Sequence, residues 1–382
     1  MKKVAFVAPT YPVLSETFIQ TEVDSVKACG HQVCVMAFKV EESEKAFDYD
    51  IVKIGKDVRA GKIIKINWLG FVKALSFVSK QTSMPKKSLF AYGFKLALQL
   101  AEKDVNHVHA HFCQHTAAHA IVAAKLLNIT CSFVAHGHDV YEFAYDIEHK
   151  ISSSDFVVAV CKDMQRDFNE LAKGNVKLLH CGVNTQQFPM QPKIEEKQLR
   201  LVFLGRLVEQ KGIHHLIEAL APIAQPLDIH LDIVGTGELQ DQLVAQVEQQ
   251  GLAQNVTFLG AKPHDWVKEN LSHYDSLIAP FCFSQTGCVD TGPLVLKEAM
   301  AVGTPVITTN IMGCKEIVTP ETGFLVNEKS VEELREAIER FSQLSSNDKA
   351  SMGLKARQRV KDSFNSIKQA QQLSRWIEDP AH

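Results

Sequence analysis

At 382 residues the chain exceeds what one ordinary hydrophobic core supports and suits two domains of about 150 to 200 residues each. A composition of 46% hydrophobic and 22% charged residues excludes an intrinsically disordered chain. Lysine and arginine number 41 against 44 aspartates and glutamates, so the formal charge of -3 excludes a global pull towards nucleic acid, and anion binding has to be local.

The first ten residues carry two lysines and a strand-like run too short for a signal-peptide apolar region. No later stretch reaches about 18 uninterrupted apolar residues. The expected location is the cytoplasm, with peripheral contact on the inner face of the cell membrane as a possible extension. Nine cysteines form no Cys-x-x-Cys pair and lie mostly in apolar runs, so free, buried thiols are expected.

In chain order, short β-rich runs alternate with helical patterns. Strands are predicted at 3–8, 32–38, 107–110, 132–135 and 156–160, the signature of a parallel sheet covered by helices on both faces. The first strand feeds a loop, residues 9–18, that contains Ser15, Glu16 and Thr17 and leaves the carboxyl edge where open α/β sheets bind ligands. Residues 53–87 depart from the pattern. Lys53, Lys56, Arg59, Lys62, Lys65, Lys73, Lys80, Lys86 and Lys87 interleave there with apolar residues including Ile63, Trp68, Leu69, Phe71, Val72 and Leu75, and Asp57 is the only acid. This is the profile of a basic amphipathic segment able to lie on anionic lipid. A helical insertion whose apolar face packs on the first domain, its lysines merely solvated, accounts for the same pattern.

Two histidine clusters come next at strand ends, His107-Val108-His109-Ala110-His111-Phe112 and Ala135-His136-Gly137-His138-Asp139. Such density raises the question of a metal. Zinc needs converging ligands with a clear spacing, and His-Glu-x-x-His is absent, so no metal is expected. Strand-end histidines are either satisfied structural residues or part of a site. Residues 182–198 are polar, contain Pro189 and Pro192, lack either periodicity and read as a linker.

The alternation resumes at 200–204, 230–234, 256–259, 276–280 and 305–308. The expected organisation is a Rossmann-like domain over 1–181, the linker, a second Rossmann-like domain over 199–364, and a final helix over 365–382 for which a return to the first domain is one available docking. After the strand at 201–204 comes Gly205-Arg206-Leu207-Val208-Glu209-Gln210-Lys211-Gly212. Its glycines permit a tight turn, and Arg206 and Lys211 would offer a diphosphate a fork and a point charge; a surface Arg and Lys on an ordinary loop is the plainer reading. Gly235-Thr236-Gly237 at the next strand end is read as part of the wall of the same ligand pocket, without the full dinucleotide fingerprint. In Asp290-Thr291-Gly292-Pro293-Leu294, Pro293 suits a first helical position, and the glycine loop before a helix N-terminus suits an anion. Glu298 sits in that otherwise apolar helix, where a lone carboxylate is costly and a ribose diol would satisfy it.

These segments resemble the family 4 glycosyltransferases, in the branch that assembles exopolysaccharide and lipopolysaccharide. The likeness runs from the first strand to about Asn327. It is carried by Tyr11-Pro-Val-Leu-Ser-Glu-Thr-Phe18, His109-Ala-His-Phe112, His136-Gly-His-Asp139, Gly205-Arg206 with Lys211-Gly212, and Glu298-Ala-Met-Ala301 with Gly303-Thr-Pro-Val306. The resemblance implies an α/β GT-B fold, two Rossmann-like domains facing a central cleft, that moves a hexose-type sugar from a UDP- or GDP-sugar to a lipid-linked or polysaccharide acceptor with retention. No cofactor and no metal are implied. Gly205, Arg206, Lys211, Gly235, Gly292, Pro293 and Leu294 would hold the donor, with Glu298 on the ribose hydroxyls. His136, Asp290 and Glu298 would form the catalytic set. Ser15, Glu16, Thr17, His111 and Asp139 would lie on the acceptor side, and residues 285–289 near the sugar. The family pattern is Glu-x7-Glu, and here the first position is Asp290, one methylene shorter. Retention without an obvious protein nucleophile implies front-face substitution, the leaving phosphate helping to deprotonate the acceptor hydroxyl. Other functions of the same architecture are a sugar-nucleotide 2-epimerase, which needs no acceptor, and a non-catalytic glycan-binding or scaffold subunit.

Overall fold

The structure, a computed structural model, describes residues 1–13, 16–43, 46–56, 68–191 and 197–381. The chain divides into two units, Met1–Cys181 with Ser366–His382, and Gly182–Asn365.

In the first unit the strands are β1 (Lys3–Tyr11), β2 (Gln32–Val40), β3 (Asp50–Lys53), β4 (His107–His111), β5 (Thr130–Val134), β6 (Phe156–Ala159) and β7 (Val176–Leu178). They form one sheet in the order β3-β2-β1-β4-β5-β6-β7, every pair parallel. Residues 4–8 of β1 are buried on both faces, as a central parallel strand requires. The connection order reverses between β1 and β4, and the carboxyl ends of those strands are therefore where a ligand crevice opens. In this register Phe6 lies beside His109, and His109 beside Ser132.

The second unit repeats the plan with β8 (Leu199–Leu204), β9 (Ile229–Val234), β10 (Val256–Gly260), β11 (Ser276–Ala279), β12 (Val306–Thr309) and β13 (Gly323–Val326), in the order β10-β9-β8-β11-β12-β13. All pairs are again parallel, and the reversal falls between β8 and β11. Leu201, Phe203, Ile233, Ile278, Ile307 and Phe341 are fully buried at its centre.

Local details depart from the expected elements. The first strand continues to Tyr11, so Pro9 to Tyr11 are strand rather than loop, and the next helix begins at Thr17. Residues 182–191 lie against the second unit. The Val183 amide donates to the Phe364 carbonyl at 2.8 Å, and the Arg357 guanidinium donates to the Phe188 carbonyl at 2.6 Å. The Ser366–Glu378 helix belongs to the first unit, where it packs on the Thr17–Ala28 helix. There Ser374 Oγ is 2.8 Å from His31 Nε2, and Glu378 pairs with the amino group of Met1 at 2.8 Å.

Of the basic segment, residues 57–67 lie outside the described residues. The rest supplies β3 and two helices, Trp68–Lys80 and the start of Lys86–Glu102. Gly70, Ala74, Phe77 and Val78 are buried, so one face does pack as an insertion would. Trp68, Leu69, Val72 and Leu75 are nevertheless exposed, at 76%, 56%, 43% and 43%. Among the described residues no helix is long and apolar enough to cross a membrane. All nine cysteines are free thiols, seven of them buried.

Candidate active site

The second sheet's switch point is built by the loops that leave β8 and β11. Gly205 leaves β8, and the chain turns through Arg206 and a short 3-10 turn, Glu209–Lys211, into the Ile213–Leu220 helix. Gly212 sits at φ +64°, and a Cβ there would lie 1.9 Å from the Pro280 carbonyl oxygen, so this position needs glycine to bring the two strand-end loops together. Gly235 does the same on the other side: at φ +136° its Cβ would meet the Gly205 carbonyl at 1.9 Å. The close approach that these glycines permit is thus backbone to backbone. Gly235 thereby lets the β9 end pack directly on the β8 loop.

Arg206 is exposed, and among the described residues its guanidinium makes no ion pair. Lys211 is only 14% exposed and is held by Asp290, whose two carboxylate oxygens lie 3.1 and 3.0 Å from Nζ; the ammonium also sits 4.9 Å from the centre of the Phe281 ring. The sequence separates these two residues into a phosphate ligand and a sugar ligand, whereas the structure pairs them. The loop between β11 and Asp290 is tied down. Glu209 accepts from the Gln285 amide at 3.1 Å, Glu328 from the Phe283 amide at 2.9 Å, and Ser284 Oγ from the Cys288 amide at 2.9 Å.

The helix after this loop spans Leu294–Ala301, with Pro293 one position earlier than expected, as the N-cap. Gly292 contributes through its backbone, its carbonyl accepting from the fully buried Lys297 ammonium at 3.2 Å. Glu298 is 8% exposed and has a protein partner: His264 Nε2, on the His264–Asn270 helix, lies 3.0 Å from Oε1. The sequence shows the buried carboxylate but no sign of His264, which lies 34 residues away.

In the first unit, β5 ends just before His136, a partly buried residue whose Nε2 is 3.2 Å from His111 Nδ1. Its ring packs on Phe18 at 4.3 Å and Phe112 at 4.9 Å. Burial, reinforced by the neighbouring His111, pushes its pKa down to about 3, so the ring is neutral near pH 7. Asp139 is fully buried and accepts from the amides of Cys113 (2.7 Å), His136 (2.9 Å) and Gly137 (2.9 Å). Its carboxylate holds the turn around His136 through these three amides. His111 is likewise fully buried, behind His136. Glu16 and Thr17 are half-buried at the start of the Thr17–Ala28 helix, and Ser15 lies outside the described residues. Ser83, Gln114, His115, Phe143 and Tyr145 line a surface pocket of about 290 Å³ in the same unit.

Two doubly wound parallel sheets in one chain are the architecture of the GT-B glycosyltransferases, and that is the fold class of this protein. Residues 15–187 match the family described as Glycosyltransferase Family 4, and residues 184–359 match Glycosyl transferases group 1. Each match spans a little under half of the chain and the two together run from residue 15 to residue 359; the protein is a glycosyltransferase, a transferase enzyme. WcaL of Escherichia coli (strain K12), provisionally named a colanic acid biosynthesis glycosyltransferase, is 24% identical over 95% of this chain and 96% of its own length. The amylovoran biosynthesis glycosyltransferase AmsK of Erwinia amylovora is 25% identical over 98% of this chain and 99% of its own. Among solved structures, HepE of Anabaena in complex with UDP-glucose superimposes with a TM-score of 0.74 at 17% identity, covering 99% of this chain and all of that one.

Proposed function

We propose that this glycosyltransferase moves a hexose-type sugar from a UDP- or GDP-sugar to a lipid-linked or polysaccharide acceptor in exopolysaccharide synthesis, with retention of configuration and with side-chain cations in place of a divalent metal at the diphosphate. The observation that carries this reading is the pair of cations at the switch point of the second sheet. Arg206 is exposed and uncommitted, and Lys211 is pre-positioned by Asp290 at 3.0 Å. A nucleoside diphosphate gains negative charge as it departs, and fixed cations stabilise it without reorganising. Glu298, held by His264, offers its carboxylate to ribose hydroxyls, and neutral His136 offers a ring nitrogen to a sugar hydroxyl. The names of WcaL and AmsK support an exopolysaccharide role, and the UDP-glucose bound to HepE supports a uridine donor. The exposed rings of Phe143 and Tyr145 beside the first unit's pocket are suited to stacking on an acceptor sugar.

The test is a thermal-shift series with UDP, GDP, ADP and their common sugar conjugates in EDTA, because a ligand that binds only the folded state raises the melting temperature. A rise with one nucleotide, lost in Arg206→Ala, is expected. If no nucleotide shifts the melt, the donor assignment fails.

The peripheral-membrane reading rests on the Trp68–Lys80 helix. Trp68, Leu69, Val72 and Leu75 fall on neighbouring helical positions and are exposed together, with Lys73 and Lys80 also exposed on this helix. Cosedimentation with vesicles containing phosphatidylglycerol is expected, with a blue shift of tryptophan fluorescence. The double variant Leu69→Glu with Val72→Glu is expected to release the protein, and equal binding to neutral vesicles would remove the charge argument.

A further inference from the structure

Strand β4 reads His107-Val108-His109-Ala110-His111, and alternation along a strand puts all three imidazoles on one face. All three are fully buried, which is costly unless each ring nitrogen has a partner. His107 has two, Thr130 Oγ1 at 2.7 Å and Ser132 Oγ at 2.8 Å. His109 Nδ1 meets Ser132 Oγ at 2.7 Å, and His111 Nδ1 meets His136 Nε2 at 3.2 Å. The Nε2 atoms of His109 and His111 remain, together with Oε1 of Glu22, from the Thr17–Ala28 helix. These three atoms are buried, and none makes a hydrogen bond to a described residue.

The three orphaned atoms nevertheless converge. Each Nε2 lies 3.3 Å from Glu22 Oε1, and all three atoms are within 4.8 Å of one another. Charge-assisted N–H···O contacts normally close to about 2.7–2.9 Å, so these are long for a buried ion pair. A tetrahedral ion with ligands at about 2.0–2.1 Å has donor-to-donor edges of about 3.3–3.4 Å, the spacing found on both sides of Glu22 Oε1. The His109 and His111 rings stand 5.5 Å apart at 89°. Two imidazoles bound through Nε2 to one tetrahedral ion would have centres about 5 Å apart. Both rings also have an outer partner on Nδ1, as metal-bound histidines do.

We propose that Glu22, His109 and His111 form a binding site for one zinc-class divalent cation in the first unit. The ion would pin the Thr17–Ala28 helix to β4. Ligation at His111 Nε2 would leave the proton on Nδ1, which then donates to His136 Nε2, so the ion would set the tautomer of His136. The third donor comes from another element, 87 residues before His109, which is why a search for spaced zinc motifs does not find this site.

The test uses the full chain, free of any affinity tag, after dialysis against a chelator. Addition of zinc is expected to give one tightly held equivalent per chain by elemental analysis and a melting temperature higher by several degrees. Cobalt in its place is expected to give the intense visible absorption of a tetrahedral ion. Glu22→Gln, His109→Gln and His111→Gln are each expected to lose the absorption and the stoichiometric zinc. The wild-type measurements decide the matter even if a variant fails to fold. A wild-type protein that takes up no zinc and melts at the same temperature with or without it overturns the site and leaves a buried ion pair. So does stoichiometric zinc that persists in folded His109→Gln and His111→Gln, since it would then lie elsewhere.

Discussion

Lys211→Met is expected to lower kcat/KM by about a hundredfold or more while leaving the fold in place. Methionine keeps the stem that packs near Phe281 and removes only the charge. The resting ammonium is shared with Asp290 at 3.0 Å, so it is already desolvated and aimed before any donor arrives, and little reorganisation remains to be done when charge develops on the departing phosphate. Stability is the control. The pair is partly exposed and of a kind usually worth about 1 kcal/mol or less, or about 2–4 °C in melting temperature for a domain of this size. The expected result is therefore a large fall in kcat with a small change in the melt. Asp290→Asn, which leaves the charge but loosens its aim, is expected to fall between Lys211→Met and wild type. A Lys211→Met enzyme with near-normal turnover would mean that Arg206 alone, or some other group, carries the leaving phosphate.

How much of this was open to a reader of the sequence depends on where each residue sits. The central strands of both sheets are buried on two faces and stand out as apolar runs, so residues such as 4–8, 200–204 and 276–279 announce themselves. The strands that do not are β3, β7 and β13, and all three are sheet edges. β3 begins at Asp50 and ends at Lys53, both exposed; β7 has three residues, none fully buried; β13 opens on a glycine. An edge strand has a neighbour on one side only and needs no continuous apolar sequence. The site divides in the same way. Arg206, Lys211, Asp290 and Glu298 come after strand ends or lie on the helix behind one, where local sequence is informative. Their partnerships are not local. The pairing of Lys211 with Asp290 joins residues 79 apart, and that of Glu298 with His264 joins residues 34 apart. Glu22 is hidden for the same reason, as one polar residue in a helix whose partners lie on β4. Asp139 is the converse case. Its place in a histidine-rich turn suggests contact with a ligand, yet three backbone amides take up its carboxylate.

The Glu298–His264 pair leads to the second large effect. Glu298→Ala is expected to lower kcat/KM by about a hundredfold or more, because it deletes both acceptors for a ribose diol and leaves His264 without its 3.0 Å partner. Hydrogen bonds to a charged group contribute about 1.5–3 kcal/mol each, so two of them are enough for a loss of that size. Glu298→Gln keeps one carbonyl acceptor and the side-chain shape, and should recover part of it. The ligand series separates a ribose contact from a general collapse of the site. In Glu298→Ala the thermal shift given by the nucleoside diphosphate should shrink sharply, while that given by inorganic pyrophosphate, which meets only Arg206 and Lys211, should persist. His264→Ala, which frees Glu298 without removing it, should raise KM more than it lowers kcat. If Glu298→Ala turns over normally, or loses pyrophosphate and nucleotide binding together, the carboxylate is holding the loop that ends at Pro293 in shape, and the ribose must be bound by other groups.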